Sequence, residues 1–202
     1  MAHPATRARI LTAASEEFGA RGFAATSVDR IARRARVNKA MIYYHFHDKR
    51  ALYTTIVRES FGSILEQLRP IAAEDIPLDR KLDRLIEALV RAVDRSQIFL
   101  PFFLREIADG AVHLGPEELG LIASIFQTVS GVIVEGGRRK LFRPVHPALA
   151  HFTIIAPLVM FRATGPVRTR IKSLKQVEVP DADAVVLVDH LQMVARRMLS
   201  PA

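Results

Sequence analysis

Seven cations crowd one short stretch of the chain: Arg30, Arg33, Arg34, Arg36, Lys39, Lys49 and Arg50 all fall between Thr26 and Leu52. Cations gathered beside a groove neutralise phosphates and release their counterions. Lys39, Tyr43, Tyr44 and His45 share one short segment, with Ala40 among them, and carry donors suited to phosphates or base edges. Thr26 and Ser27 stand just before the cations, where either can cap a helix and offer N–H groups and a hydroxyl to a phosphate. A solvated basic face on a helical bundle would carry the same charges, so the elements around them decide the reading.

Those elements are two short helices and a tight turn. Ile31, Ala32 and Ala35 recur at helical spacing. Val37 is apolar at the turn, and Asn38 is a good N-cap for a second helix over about Lys39 to Phe46. Asp48 caps a third helix that begins at Lys49. This helix-turn-helix order places its second helix for a DNA major groove. The charge distribution agrees. Of a net +8, residues 1–70 hold 12 Lys+Arg against 6 Asp+Glu, and residues 71–202 hold 17 against 15. A basic surplus in the helix-turn-helix part implies a polyanionic partner there.

Thr26 to Tyr53 resembles the DNA-binding domain of the TetR (tetracycline-repressor-like) family of bacterial regulators, at Thr26, Ile31, Ala32, Ala35, Val37, Ile42, Tyr43, Phe46, Lys49 and Leu52. The likeness covers about the first quarter of the chain and departs at two places. Arg36 stands where a turn glycine is usual, so a positive φ there would be strained. Met41 stands where a phosphate-bonding Thr or Ser is common. The resemblance implies DNA contacts from Thr26, Ser27, Asn38, Lys39, Ala40, Tyr43, Tyr44, His45 and Lys49. It further implies a homodimer on a palindromic operator and release by a small-molecule effector.

The rest of the chain reads as helices. Ala5 to Ala20 forms the first, with breaks at Gly19 and Gly22. Lys49 to about Arg69 forms a long one that Pro70 stops. Further helices are expected up to about Arg95, over Gln97 to Asp109, from Pro116 to near Gly137, from Pro147 to about Arg162, and from Ala184 to Leu199. Thr164 to Asp181 reads as a long loop, on its Gly165, Pro166 and Pro180. The expectation is an all-α chain of about nine helices. Residues 1–48 are a three-helix DNA-binding domain that functionally includes the first turns from Lys49, and residues 49–202 are a helical effector-binding and dimerisation domain. In the family the last two helices pair with those of a second subunit, and Leu187, Val188, Leu191, Val194, Ala195 and Met198 form an apolar stripe suited to that.

Phe99, Phe102, Phe103, Phe126 and Phe152 are candidates to line an effector pocket, with Arg105, Glu106, His113, Gln127 and His151 the nearest polar groups in sequence. Core packing explains each aromatic singly as well. Catalysis has little support: His146 and His151 are five apart, a poor same-face pair, and no metalloprotease, nucleophile-elbow or P-loop motif occurs. With no cysteine there is no thiolate metal site. We expect no enzyme activity, no metal and no cofactor. We also expect no membrane partner and a soluble cytoplasmic protein, since the N-terminus lacks an apolar signal core and the apolar runs are short. A DNA-binding architectural or protein-controlled regulator without a small-molecule effector is the alternative.

Overall fold

The computed structural model describes residues 4–95, 99–174, 178 and 180–201, with the side chains of Pro4 and Phe99 outside that description. The described residues form ten helices and no strand: α1 (Pro4–Ala25), α2 (Val28–Ala35), α3 (Lys39–Phe46), α4 (Lys49–Ala73), α5 (Leu78–Arg95), α6 (Phe99–Ala108), α7 (Pro116–Arg138), α8 (Pro147–Ala163), α9 (Gly165–Ser173) and α10 (Ala184–Leu199). The all-α expectation holds. Two compact units divide the chain, Met1–Gly62 with Ser96–Leu121 and Ser63–Arg95 with Ile122–Ala202. The chain passes from one to the other within α4, after α5 and within α7.

Three local expectations are corrected. Pro70 does not end α4, which continues to Ala73 with the proline inside it. Pro70 has no N–H for the carbonyl four residues back, but only three residues follow it in the helix, so the loss is confined to one ladder bond near the end. The loop expected over residues 164–181 is helical from Gly165 to Ser173; Pro166 sits in the first turn, where its missing N–H is no loss, and starts the helix instead of breaking it. Residues 175–177 and 179 of that loop, like Gln97, lie outside the described residues. The first helix also runs on to Ala25, but Gly22 does break its geometry, at φ 77° and ψ 172°.

In the first unit α1 packs against α2 and α6. Ile10, Phe18, Ile31, Ile42, Leu52 and Tyr53 form its buried core. Gly19 permits the close approach of α6, since a Cβ there would lie 3.4 Å from Pro101 Cβ. In the second unit α10 packs on α5 and α8. Leu85, Ile86, Ile154, Leu158, Leu187 and Leu191 are buried there. Two ion pairs tie these helices, Arg196 to Asp83 at 2.5 Å and Arg162 to Asp94 at 2.6 Å.

Leu191, read as part of a dimer seam, is 1% exposed within its own unit. The apolar residues that stay exposed are Leu149, Phe152 and Met160 on α8 and Val185, Val186 and Met193 on α10. Among the described residues one helix, α7, is long and apolar enough to cross a membrane by length and composition alone, and the bent pair α8 and α9 passes the same test together. Short apolar runs concealed this, because Ser124, Gln127, Thr128 and Ser130 interrupt them without lowering the average much.

Candidate nucleic-acid interface

The helix-turn-helix is held by caps and by one arginine from α1. The Ser27 hydroxyl accepts from the Arg30 N–H at 3.3 Å, the Asn38 side chain from the Ala40 N–H at 2.8 Å, and the Asp48 carboxylate from the Ala51 N–H at 2.7 Å. Arg36 adopts the left-handed conformation, φ 53° and ψ 50°, as the missing glycine foretold. Arg9 then pins the turn, donating to Ala35 O at 2.6 Å and to Arg36 O at 2.8 Å. Sequence reading had no signal for that contact, because Arg9 is one of many arginines and lies 26 residues away.

Helix α3 turns Ile42 and Phe46 into the core. Lys39, Ala40, Tyr43 and Tyr44 are exposed, the tyrosines at 44% and 67%. These four form i, i+4 pairs and so share one side of the helix. Asn38 and Ser27 are exposed at the two helix starts. His45 is half-buried, and its Nε2 is enclosed without a hydrogen-bond partner, so only part of the ring is open to a ligand.

Two of the nine candidate DNA contacts are committed inward. Thr26 is 1% exposed, and its hydroxyl donates to Gly22 O at 2.8 Å and Glu17 O at 3.1 Å. The Lys49 ammonium donates to Phe23 O at 2.9 Å and Thr26 O at 3.0 Å, and lies 4.2 Å from the Phe23 ring centroid. Both side chains join the end of α1 to the start of α2 and α4.

The cation cluster is also partly neutralised by the protein. Buried Glu17 takes Arg30 and Arg34, each at 3.1 Å, and Arg34 also pairs with Glu16. Lys39 pairs with Asp29 at 2.9 Å, and that hydrogen bond raises its pKa. Among the described residues Arg33, Arg36 and Arg50 form no ion pair, and all three are exposed. They are the cations most available to a polyanion.

The candidate effector residues separate. Phe102, Phe103, Arg105, Glu106 and His113 lie in the first unit, and Phe126, Gln127 and His151 in the second. The side chain of Phe99 lies outside the described residues. Phe102 is buried with its ring 4.6 Å from that of Tyr53, and Phe103 sits 5.5 Å from Phe61. Arg105 is exposed, its stem against Gly22, where a Cβ would lie 3.0 Å from Arg105 Cδ. Gln127 is exposed.

Glu106 is buried, accepts the Tyr53 hydroxyl and lies 2.7 Å from His113 Nδ1. Burial first, then this carboxylate, raise the Tyr53 pKa and keep its hydroxyl protonated. In the second unit His151 is buried 4.7 Å from the Phe126 ring, and Phe126 is 6.4 Å from Phe152. The His151 Nδ1 has no partner, and burial lowers its pKa, so the ring is neutral at pH 7. Sequence reading missed one grouping. Glu106, Asp109 and His113 offer three ligand atoms within 4.8 Å of one another, and the Glu-x-x-Asp-x-x-x-His spacing was its available signal.

Known proteins resemble this chain in sequence and in fold. The profile of the family described as bacterial regulatory proteins, tetR family, matches residues 10–56. The HTH-type transcriptional repressor SCO4008 of Streptomyces coelicolor is 37% identical over 81 residues, 39% of this chain and 42% of the repressor. The HTH-type regulator YhgD of Bacillus subtilis is 25% identical over 150 residues, 72% of this chain and 76% of YhgD. The chain thus spans less than half of the first relative and about three quarters of the second. A crystal structure of a tetR-family bacterial regulatory protein from Rhodococcus RHA1 superposes with a TM-score of 0.79 at 22% identity, covering 100% of both chains, which establishes a shared fold.

Proposed function

The chain is a TetR-family regulator, and from that premise we propose that it acts as a homodimeric repressor on a palindromic DNA operator. The carrying observation is the exposed face of α3, with Lys39, Ala40, Tyr43 and Tyr44 on a capped and pinned helix-turn-helix. In this reading α3 enters the major groove. Tyr43, Tyr44 and Lys39 meet bases or backbone there, and Lys39 exchanges Asp29 for a phosphate. The Ser27 hydroxyl, the N–H groups at Asn38, and Arg33, Arg36 and Arg50 hold phosphates on either side. Thr26 and Lys49 contribute by fixing the α1–α2 corner. The 1–48 segment with the first turns of α4 is the DNA-binding part, and residues 49–202 bind the effector and the second subunit. The protein works in the cytoplasm, where its operator is, and performs no reaction.

The effector in this reading is a small apolar molecule with one hydrogen-bonding group. Its support is the Phe126–His151–Phe152 group, where an unpaired buried nitrogen stands among aromatic rings. Arg105 is exposed and stands outside this group. Binding must favour the state that fits DNA poorly, and DNA must then weaken the ligand by the same factor; about 1–3 kcal/mol would be ordinary. Helix α4, which contains residues of both units, is the element through which the two sites would communicate.

Replacing Ala40 tests the reading. Ala40→Glu changes an exposed residue, so the fold should persist by circular dichroism. On a duplex recovered by the protein from a random pool, it should lower affinity at least about tenfold, by a carboxylate among phosphates and base edges. Unchanged affinity would remove α3 from the groove.

A further inference from the structure

Helix α6 ends in a turn that folds back on itself. Gly110 and Ala111 both take positive φ, 72° and 58°, and the Ala111 N–H donates to Glu106 O at 2.7 Å. This returns His113 to the last turn of α6, where its Nδ1 lies 2.7 Å from Glu106 Oε1. Asp109, one turn after Glu106 and exposed, brings the third group.

Glu106 is 2% exposed, and its Oε2 is enclosed without any partner. A buried carboxylate is costly unless cations or donors meet both oxygens. Here Tyr53 and His113 serve only Oε1. Two carboxylates and an imidazole converge, a donor set with two negative charges.

We infer that Glu106, Asp109 and His113 bind a divalent transition cation of the Zn2+ class. The imidazole nitrogen favours such ions over Mg2+ or Ca2+, which take oxygen. Zinc ligands sit about 2.0–2.2 Å from the metal, so their mutual spacing is at most about 4.3 Å. The three ligand atoms lie within 4.8 Å of one another, a spread that a small side-chain rotation brings into that range. Metal binding replaces the contact between His113 Nδ1 and Glu106 Oε1: the imidazole moves its proton to Nε2 and gives the Nδ1 lone pair to the metal. Tyr53 donates to Glu106 from the next layer and orients it, as outer partners of metal ligands do. Three protein ligands leave a position for water or for an anionic ligand. The ion would brace the end of α6 against Tyr53 of α4 and against Phe23, whose ring is 4.8 Å from that of His113.

The test is calorimetric titration of the metal-free full chain with Zn2+ alone, in a non-chelating buffer at pH 7.5. The expected result is one saturable equivalent per chain, weakened at least tenfold in both Asp109→Asn and His113→Asn. Folding of each variant is checked by circular dichroism. His190→Asn, at an exposed histidine outside the cluster, should bind as the parent does. Absence of a saturable equivalent, or parental affinity in either cluster variant, overturns the site. The titration contains no DNA, so its failure leaves the operator reading untouched.

Discussion

Arg36 carries a conformation that its side chain disfavours. A non-glycine residue in the left-handed region costs roughly 1–2 kcal/mol, while glycine gives back part of that as chain entropy. Arg36→Gly is therefore expected to raise stability by about 1 kcal/mol in urea denaturation, because its backbone contacts with Arg9 survive. An unchanged or lower midpoint would refute the strain. His151 gives a second residue-scale prediction. Its pKa lies below the ordinary 6.5 because burial disfavours the charged ring. Between the folded value and 6.5 the unfolded chain binds more protons, so stability rises with pH there and is lost as pH falls through that window. His151→Leu should flatten this limb of the melting temperature against pH. At Glu118 burial pushes the carboxyl up, but the Arg58 guanidinium at 2.6 Å and the Gly115 N–H outweigh it and hold its pKa below 4.5. Its stabilisation is lost as pH falls below 4.5 towards the lowered folded value. At this scale Arg36 and the three caps were legible in the sequence, because each depends on local backbone chemistry. The inward turn of Thr26 and Lys49 was not, because their partners lie on another helix.

Among the elements, the helix starts were read well where a cap or a first-turn proline marks them. Asn38 opens α3, Pro116 opens α7 and Pro147 opens α8. The misreadings at Pro70 and Pro166 share a cause. Proline breaks a helix interior, fits the first turn and in the last turn removes one ladder bond, and sequence alone does not say where the ends are. Close approaches between elements were likewise invisible. Gly136 in α7 is buried against Phe142, and a Cβ there would overlap the ring. Gly136→Ala should cost about 1–3 kcal/mol of unfolding free energy. Adding Phe142→Leu should recover part of it. A silent Gly136→Ala would mean that the ring moves aside freely.

For the whole molecule, the dimer proposal rests on apolar surface left over after each unit has formed its own core. Leu149, Phe152 and Met160 recur along α8 at three- and eight-residue steps, on a stripe continued by Ala156. Phe152→Asp should give a folded monomer by light scattering, since Phe152 is 58% exposed. Leu191→Glu should unfold the domain instead. A folded dimer with Phe152→Asp would move the seam elsewhere. The all-α architecture was legible as a whole, from apolar periodicity and the lack of strand pattern. The grouping of residues 96–121 with the N-terminal unit was not, because no local signal says which neighbour a helix joins.

The central claim is that two copies of α3 read two half-sites. Selection of bound duplexes from a random-sequence pool, followed by affinity measurement across salt on the recovered sequence, tests it most directly. The account predicts an inverted repeat bound by two chains, with half-sites spaced by about one helical turn or a multiple of it. Affinity should fall steeply and linearly in logarithmic salt, as phosphate contacts from Arg33, Arg36 and Arg50 in each subunit require. Recovery of no common sequence, or binding indifferent to salt, would contradict it.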